Sequence, residues 1–128
     1  MAYLLDTHTF LWFAKDVGNL SAKIRDTIED PTNDIRISVV SFWEITIKSS
    51  IGKLALATSI LGLGQLAQAE NISILPLTLP AIEQVAHMPQ HHKDPFDRII
   101  AATAMTSGDV LLSADAVFDS YGVTRTWA

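Results

Sequence analysis

Short apolar runs alternate with amphipathic stretches from one end of the chain to the other. Ala2 to Leu5 is a brief apolar run that stops at Asp6, the pattern of a buried strand. Thr7 then stands where a residue would cap a helix running through Phe10, Leu11 and Ala14. Ser21 to Glu29 carries Ile24 and Ile28 four apart and meets Asp30-Pro31, which predicts a second helix and its stop. Ile35, Ile37, Val39 and Val40 predict the next strand. Ser41-Phe42-Trp43-Glu44 has the form of a capping box, opening a helix through Ile45, Ile47 and Ile51 that ends near Gly52.

Further along, Thr58 to Ala69 reads as a helix, Ile72 to Leu77 as a strand and Leu79 to Ala86 as a short helix. Asp94-Pro95 opens a stronger one, with the acid at the cap and proline at the first helical position, where its missing N–H costs nothing. Phe96, Ile99, Ile100, Thr103 and Ala104 form its buried stripe, and Gly108 ends it. Val110 to Leu112 predicts a strand, Ala116 to Tyr121 a short helix, and Val123 to Trp127 an edge strand. Strands alternating with helices imply right-handed crossovers around a largely parallel sheet, an α/β fold. No repeat, linker or low-complexity stretch divides residues 1–128, so one domain is expected.

Composition narrows the chemistry. A chain of 128 residues that is 48 % hydrophobic and 18 % charged is globular and needs no staple. With no cysteine, disulfides, thiolate zinc sites and cysteine nucleophiles are excluded. Its first residues show neither a basic leader nor a long apolar run, so no membrane span is expected and the cytoplasm is the default. A net charge of −5 argues against a surface that coats nucleic acid in general, because such binding uses Lys and Arg to displace counterions. Nucleic-acid contact would fall to local basic groups such as Lys48, Lys53, Lys93 and Arg98.

Four acids stand where strands hand over to helices: Asp6, Glu44, Asp97 and Asp115. Ligands of open α/β sheets collect outside the carboxyl ends of the strands, so acids gathered there, without a glycine-rich phosphate loop, point to a cage for hard divalent cations. Capping is the ordinary alternative for Glu44 and Asp97, and it is the reading kept for Asp94. Asp6 resists it, since Thr7 is itself an adequate cap, and Asp115 follows a strand in the same way. Unpaired carboxylates brought together are unfavourable unless cations bind. All-oxygen ligation suits Mg²⁺ or Mn²⁺, which activate water for attack on a phosphodiester. Thr7 and Ser113 are placed to orient a carboxylate or a water, or to serve as turn hydroxyls.

The remaining polar residues carry less. His8, His87, His91 and His92 make no zinc pattern, and His91 and His92 read as loop residues. Trp12, Phe42 and Trp43 lie in apolar helical patterns and read as core or interface rather than base-stacking platforms. Arg98 is either a phosphate contact beside Asp97 or a surface ion pair. The run Phe10-Leu11-Trp12-Phe13 is longer than one buried helix face requires, so part of the first helix is expected under another chain.

The ordered segments Leu5-Asp6-Thr7-His8, Ser41-Phe42-Trp43-Glu44-Ile45, Ile51-Gly52-Lys53-Leu54, Asp94-Pro95-Phe96-Asp97-Arg98-Ile99-Ile100-Ala101-Ala102, Leu112-Ser113-Ala114-Asp115 and Phe118 resemble the PIN-domain family, most closely the VapC-like toxins of bacterial type II toxin-antitoxin pairs. The resemblance implies a three-layer α/β/α fold with a mainly parallel central sheet. It also implies an endoribonuclease that depends on Mg²⁺, with Mn²⁺ able to substitute. Its partners would be an RNA substrate, a second copy in a homodimer, and a VapB-like antitoxin that neutralises it in a heteromeric complex. The family's metal-binding acids fall on Asp6, Glu44, Asp97 and Asp115. Ser113 matches a position often held by Ser or Thr, and Asp119 is a nearby acid able to share the fourth role.

Competing readings meet specific obstacles. A phosphoacceptor receiver domain needs a paired acidic cluster after its first strand and a late Lys, whereas Asp6 is followed by Thr7-His8 and the last strand offers Arg125. A haloacid-dehalogenase phosphatase needs an Asp at position 8, which is His. A catalytically silent PIN-like binding or regulatory module is the more serious alternative, disfavoured by retention of all four acids.

Overall fold

The computed structural model describes residues 1–16, 18–89 and 94–127. In chain order the elements are β1 (Ala2–Leu5), α1 (Thr7–Lys15), α2 (Ala22–Glu29), β2 (Asp34–Ser38), α3 (Val39–Ser50), α4 (Ile60–Ala69), β3 (Ile72–Leu75), α5 (Leu79–Ala86), α6 (Pro95–Ser107), β4 (Val110–Leu112), a 3₁₀ helix (Ala116–Tyr121) and β5 (Arg125–Thr126). The strands form one sheet in the order β3-β2-β1-β4-β5, and every pairing is parallel. Such a sheet is covered on both faces, which is why its strands read as continuous apolar runs rather than alternating ones.

Successive strand residues supply opposite faces. Leu4 lies level with Leu111, and both join Ile100, Ala101, Ala104, Phe118 and Tyr121 in the layer built on α6 and the 3₁₀ helix. Leu5 lies level with Leu112, and both join Phe10, Phe13, Ile24, Ile37, Ile45 and Leu63 beneath α1 to α4. The three-layer α/β/α arrangement that the resemblance implied is the one the chain adopts.

Caps decide where two elements begin, and both differ from the expectation. Val39 and Val40 are helical because the Ser38 hydroxyl accepts from Val40 N at 3.1 Å, ending β2 and starting α3 there. Ser41-x-x-Glu44 is therefore not a capping box, and Glu44 sits inside the helix. At the first handover the cap is Asp6 rather than Thr7, with Asp6 Oδ1 accepting from Thr9 N at 2.8 Å. Asp94 caps α6 as expected, accepting from Phe96 N and Asp97 N. β3 and β5 are shorter than the runs that announced them.

The aromatic run of α1 is absorbed by the chain's own core. Phe10, Leu11 and Phe13 are buried, and the half-buried Trp12 leans on Trp127 with ring centres 6.0 Å apart. Large apolar side chains that do face solvent lie elsewhere, among them Trp43, Leu61, Leu79 and Ile82. Among the described residues no helix is long and apolar enough to cross a membrane.

Because Ser38 sets the start of α3, Ser38→Ala removes a buried cap, and a loss of about 1 kcal/mol is expected. Urea unfolding measures it, and an unchanged midpoint would show that α3 starts without that bond.

Candidate active site

Chain direction across the sheet reverses at β1, which has β2 on one side and β4 on the other. The crevice at such a switch point opens at the carboxyl ends of the strands. Leu5 ends β1 and Leu112 ends β4 at the same level, so Asp6 and Ser113 emerge side by side. Ser113 Oγ donates to Asp6 Oδ2 at 2.6 Å and accepts from Asp115 N at 3.0 Å. Thr9 Oγ1 closes the end of β4 by donating to Leu112 O at 3.0 Å. Asp6 is thus both a helix cap and a buried acid at the mouth of the crevice, 5 % exposed.

Glu44 reaches the same place from α3. It is 1 % exposed, and its Oε1 lies 2.7 Å from Thr7 Oγ1, which in turn lies 2.9 Å from Ser41 Oγ. The Thr7 hydroxyl has one proton; it goes to the carboxylate, and Ser41 donates to Thr7. Lys48, one helical turn after Glu44, donates from Nζ to Glu44 Oε2. Both Glu44 oxygens are therefore satisfied, although the residue is almost wholly removed from water.

Asp97 and Asp115 stand at the margin. Asp97 is half-buried in the first turn of α6, where the adjoining Phe96 meets Trp43 of α3 edge-on with ring centres 5.3 Å apart. Asp115 is exposed and caps the 3₁₀ helix, accepting from Val117 N at 3.0 Å. A cleft of about 270 Å³ is lined by Asp6, His8, Trp12, Ala114 and Asp115; Glu44 and Asp97 are not among its lining residues.

The electrostatics follow from burial and neighbours. Burial pushes the Asp6 pKa above the ordinary carboxylate value, against the opposing hydrogen bonds from Ser113 and Thr9 and the field of His8. For Lys48, partial burial lowers the pKa, but the Glu44 bond and the fields of Glu44, Asp94 and Asp97 outweigh it and hold the ammonium above the usual lysine value. Asp97 and its neighbour thus act on the same cation that Glu44 holds.

Two expected supporting residues are engaged elsewhere. Arg98 is buried, donating to Pro89 O at 2.7 Å and Val85 O at 3.0 Å with its guanidinium over the Tyr121 ring, so it ties α6 to the end of α5. Asp119 takes Arg125 with both oxygens, at 2.9 and 3.0 Å, and that bond lowers its pKa. His91, His92 and Lys93 lie outside the described residues. Reading the sequence missed Ser41 and Thr9, and it assigned Lys48 to nucleic-acid contact rather than to Glu44. Lys48 was legible from its four-residue spacing to Glu44. Ser41 and Thr9 carried no such signal, because their partners come from other elements.

The donor set is all oxygen, which suits Mg²⁺ or Mn²⁺, and a rim that already seats an ammonium accepts positive charge. Among the described residues no three acid or imidazole groups already converge as a metal cage. Mg²⁺ commonly uses one or two protein carboxylates and fills its remaining positions with water, so the residues present fit it.

The sequence pattern of the PIN domain family matches residues 3–123. A curated relative, ribonuclease VapC22 of Mycobacterium tuberculosis, is 30 % identical over 114 residues, which span 88 % of this chain and 85 % of the relative. Among solved structures, VapBC2 of Rickettsia felis bound to a promoter DNA fragment superposes with a TM-score of 0.74 at 14 % identity, covering 98 % of both chains. Mycobacterium tuberculosis VapC20, described as a toxin that cleaves the sarcin-ricin loop, gives 0.66 at 15 % identity, covering 98 % of this chain and 99 % of that one.

The raised pKa of Asp6 has a stability consequence with a definite sign. A carboxylate that holds its proton more tightly when folded weakens the fold wherever it must be charged, and this penalty fades as pH falls through the folded pKa towards the unfolded value near about 4. Asp6→Asn keeps an oxygen to accept from Thr9 N and sets an amide N–H against Ser113 Oγ, which as a hydroxyl can accept it. In chelator, the variant is expected to melt above the parent at pH 7, with the difference shrinking as the pH approaches about 4. A difference that grows on acidification would contradict the burial account.

Proposed function

Since the chain belongs to the PIN-domain family, among its VapC-like members, we propose that it is an endoribonuclease dependent on Mg²⁺ or Mn²⁺ that acts as the toxin of a toxin-antitoxin pair. The observation that carries this reading is the joining of two buried carboxylates, Asp6 and Glu44, at the sheet's switch point through adjacent residues Asp6 and Thr7. Lys48 already offsets Glu44, but at Asp6 burial outweighs the hydrogen bonds and the field of His8, so that carboxylate is costly to keep charged unless positive charge arrives there. The name of the relative VapC22 and the VapBC complexes among the structural neighbours support RNA as substrate and an antitoxin as partner. A second copy of the chain and the cytoplasm complete the setting.

In this reading Asp6, Glu44, Asp97 and Asp115 hold the cation. When bound, a divalent ion makes water a stronger nucleophile and stabilises charge developing on the phosphate. The chain's own contribution is to fix the acids before the ion arrives. Ser113 and Thr9 hold the two Asp6 oxygens in place, and Thr7, itself held by Ser41, aims one Glu44 oxygen. The half-buried Asp97 and the exposed Asp115 lie where they can move to meet ligand and substrate.

Cleavage of total RNA by the purified protein is expected with Mg²⁺ or Mn²⁺ and not with EDTA. Asp6→Asn and Asp97→Asn are expected to lower it by at least ~100-fold with unchanged far-ultraviolet circular dichroism, and Thr7→Ala and Ser113→Ala by ~10- to 100-fold, the range for residues that orient metal ligands. Full turnover by either acid variant would reject the assigned cage, and a parent without cleavage would leave a binding module. Co-expression with the product of the neighbouring small reading frame is expected to give a stable complex in which cleavage is suppressed. Free cleavage within such a complex would remove the toxin role but not the nuclease.

A further inference from the structure

Lys48 occupies a position that the nuclease reading does not use. Its Nζ sits on Glu44 Oε2, while Glu44 Oε1 already accepts from Thr7, so Oε2 is the oxygen left for a second partner. Glu44 is 1 % exposed, and a lone charged carboxylate there would be strongly destabilising. The ammonium supplies the missing counter-charge from within the same helix. The Lys48 side chain keeps 32 % exposure, so its four-carbon stem can carry the ammonium out to water without moving the backbone.

A divalent cation and an ammonium cannot share one carboxylate oxygen without repulsion, and both are drawn to the same acids. Resting on the metal-site reading of the rim, we propose that Lys48 is an internal cation that competes with the divalent ion for Glu44 and sets the rim's affinity for metal. With no ion bound, the lysine neutralises Glu44 and keeps the crevice folded. As an ion binds, Lys48 yields Oε2 and swings towards solvent. Lys48 is therefore a positioning residue: it holds Glu44 ready and moderates how readily the rim fills.

The test is calorimetric titration of Mn²⁺, without RNA, into the parent protein and into Lys48→Met, Lys48→Gln and Lys48→Arg, with melting temperatures taken in EDTA. Removing the charge should tighten Mn²⁺ binding on the order of tenfold in the Met and Gln variants and lower their melting temperatures in EDTA. Arg should restore behaviour close to the parent, which a merely structural stem would not distinguish from Met. Equal or weaker Mn²⁺ binding by both neutral variants, against measurable binding by the parent, would overturn the competition and leave the metal site standing. Absence of Mn²⁺ binding in the parent and in all three variants would overturn both. Using Gln beside Met keeps the result decisive if one of the two fails to fold.

Discussion

The Asp6 carboxylate leaves water at the carboxyl end of the central strand, and much of the local chain is arranged around keeping it there. One oxygen accepts from Thr9 N and so begins α1; the other accepts from Ser113 and so ties β1 to the end of β4. The Ser113 hydroxyl also accepts from Asp115 N, which sets the turn into the 3₁₀ helix. A single buried acid therefore fixes the relative placement of two stretches distant in sequence, β1 with α1 and β4 with the 3₁₀ helix. Hydrogen bonds alone do not make its charge comfortable, since burial still dominates its pKa.

The second acid is handled differently. Glu44 is buried inside α3, where its two oxygens are divided between a hydroxyl from α1 and an ammonium from its own helix. Asp6 has hydrogen bonds and the field of His8 against its burial, whereas Glu44 has the ammonium of its own helix, so the two acids are neutralised unequally. That asymmetry suits a site that must stay folded when empty and still take up positive charge when an ion is present. At the opposite end of β4, Asp109 is buried with Arg36 at 3.3 Å from one oxygen, while its other oxygen has no hydrogen-bond partner among the described residues and burial raises its pKa.

Family membership fixes the fold and raises the ribonuclease reading, but the chemistry rests on particular contacts. Thr7 joins the two buried acids structurally, because it follows Asp6 in the chain and donates to Glu44 across 37 positions.

Much of this was legible in the sequence for physical reasons. Strand and helix periods differ, so the apolar runs at Ala2–Leu5 and Val110–Leu112 and the stripe of α6 announced an α/β alternation, and Asp94-Pro95 marked its helix start unaided. Asp6 and Asp115 were visible because they follow β1 and β4 at the edge a parallel sheet presents, whereas Glu44 lies inside α3 and Asp97 opens a helix that follows α5 rather than a strand. What only tertiary structure decided is which hydroxyl or cation meets which acid. Val39 and Val40 favour strand by type, yet Ser38 two residues back captures Val40 N and starts the helix, a local signal that puts Glu44 inside α3, where Thr7 of α1 meets it only in the folded chain. Arg98 follows an acid in sequence, yet packing turns its guanidinium towards Pro89, Val85 and Tyr121. Local sequence fixes where backbone elements start and what faces the core. The partner of a polar side chain depends on segments that meet only after the chain has folded, and no local pattern encodes that meeting.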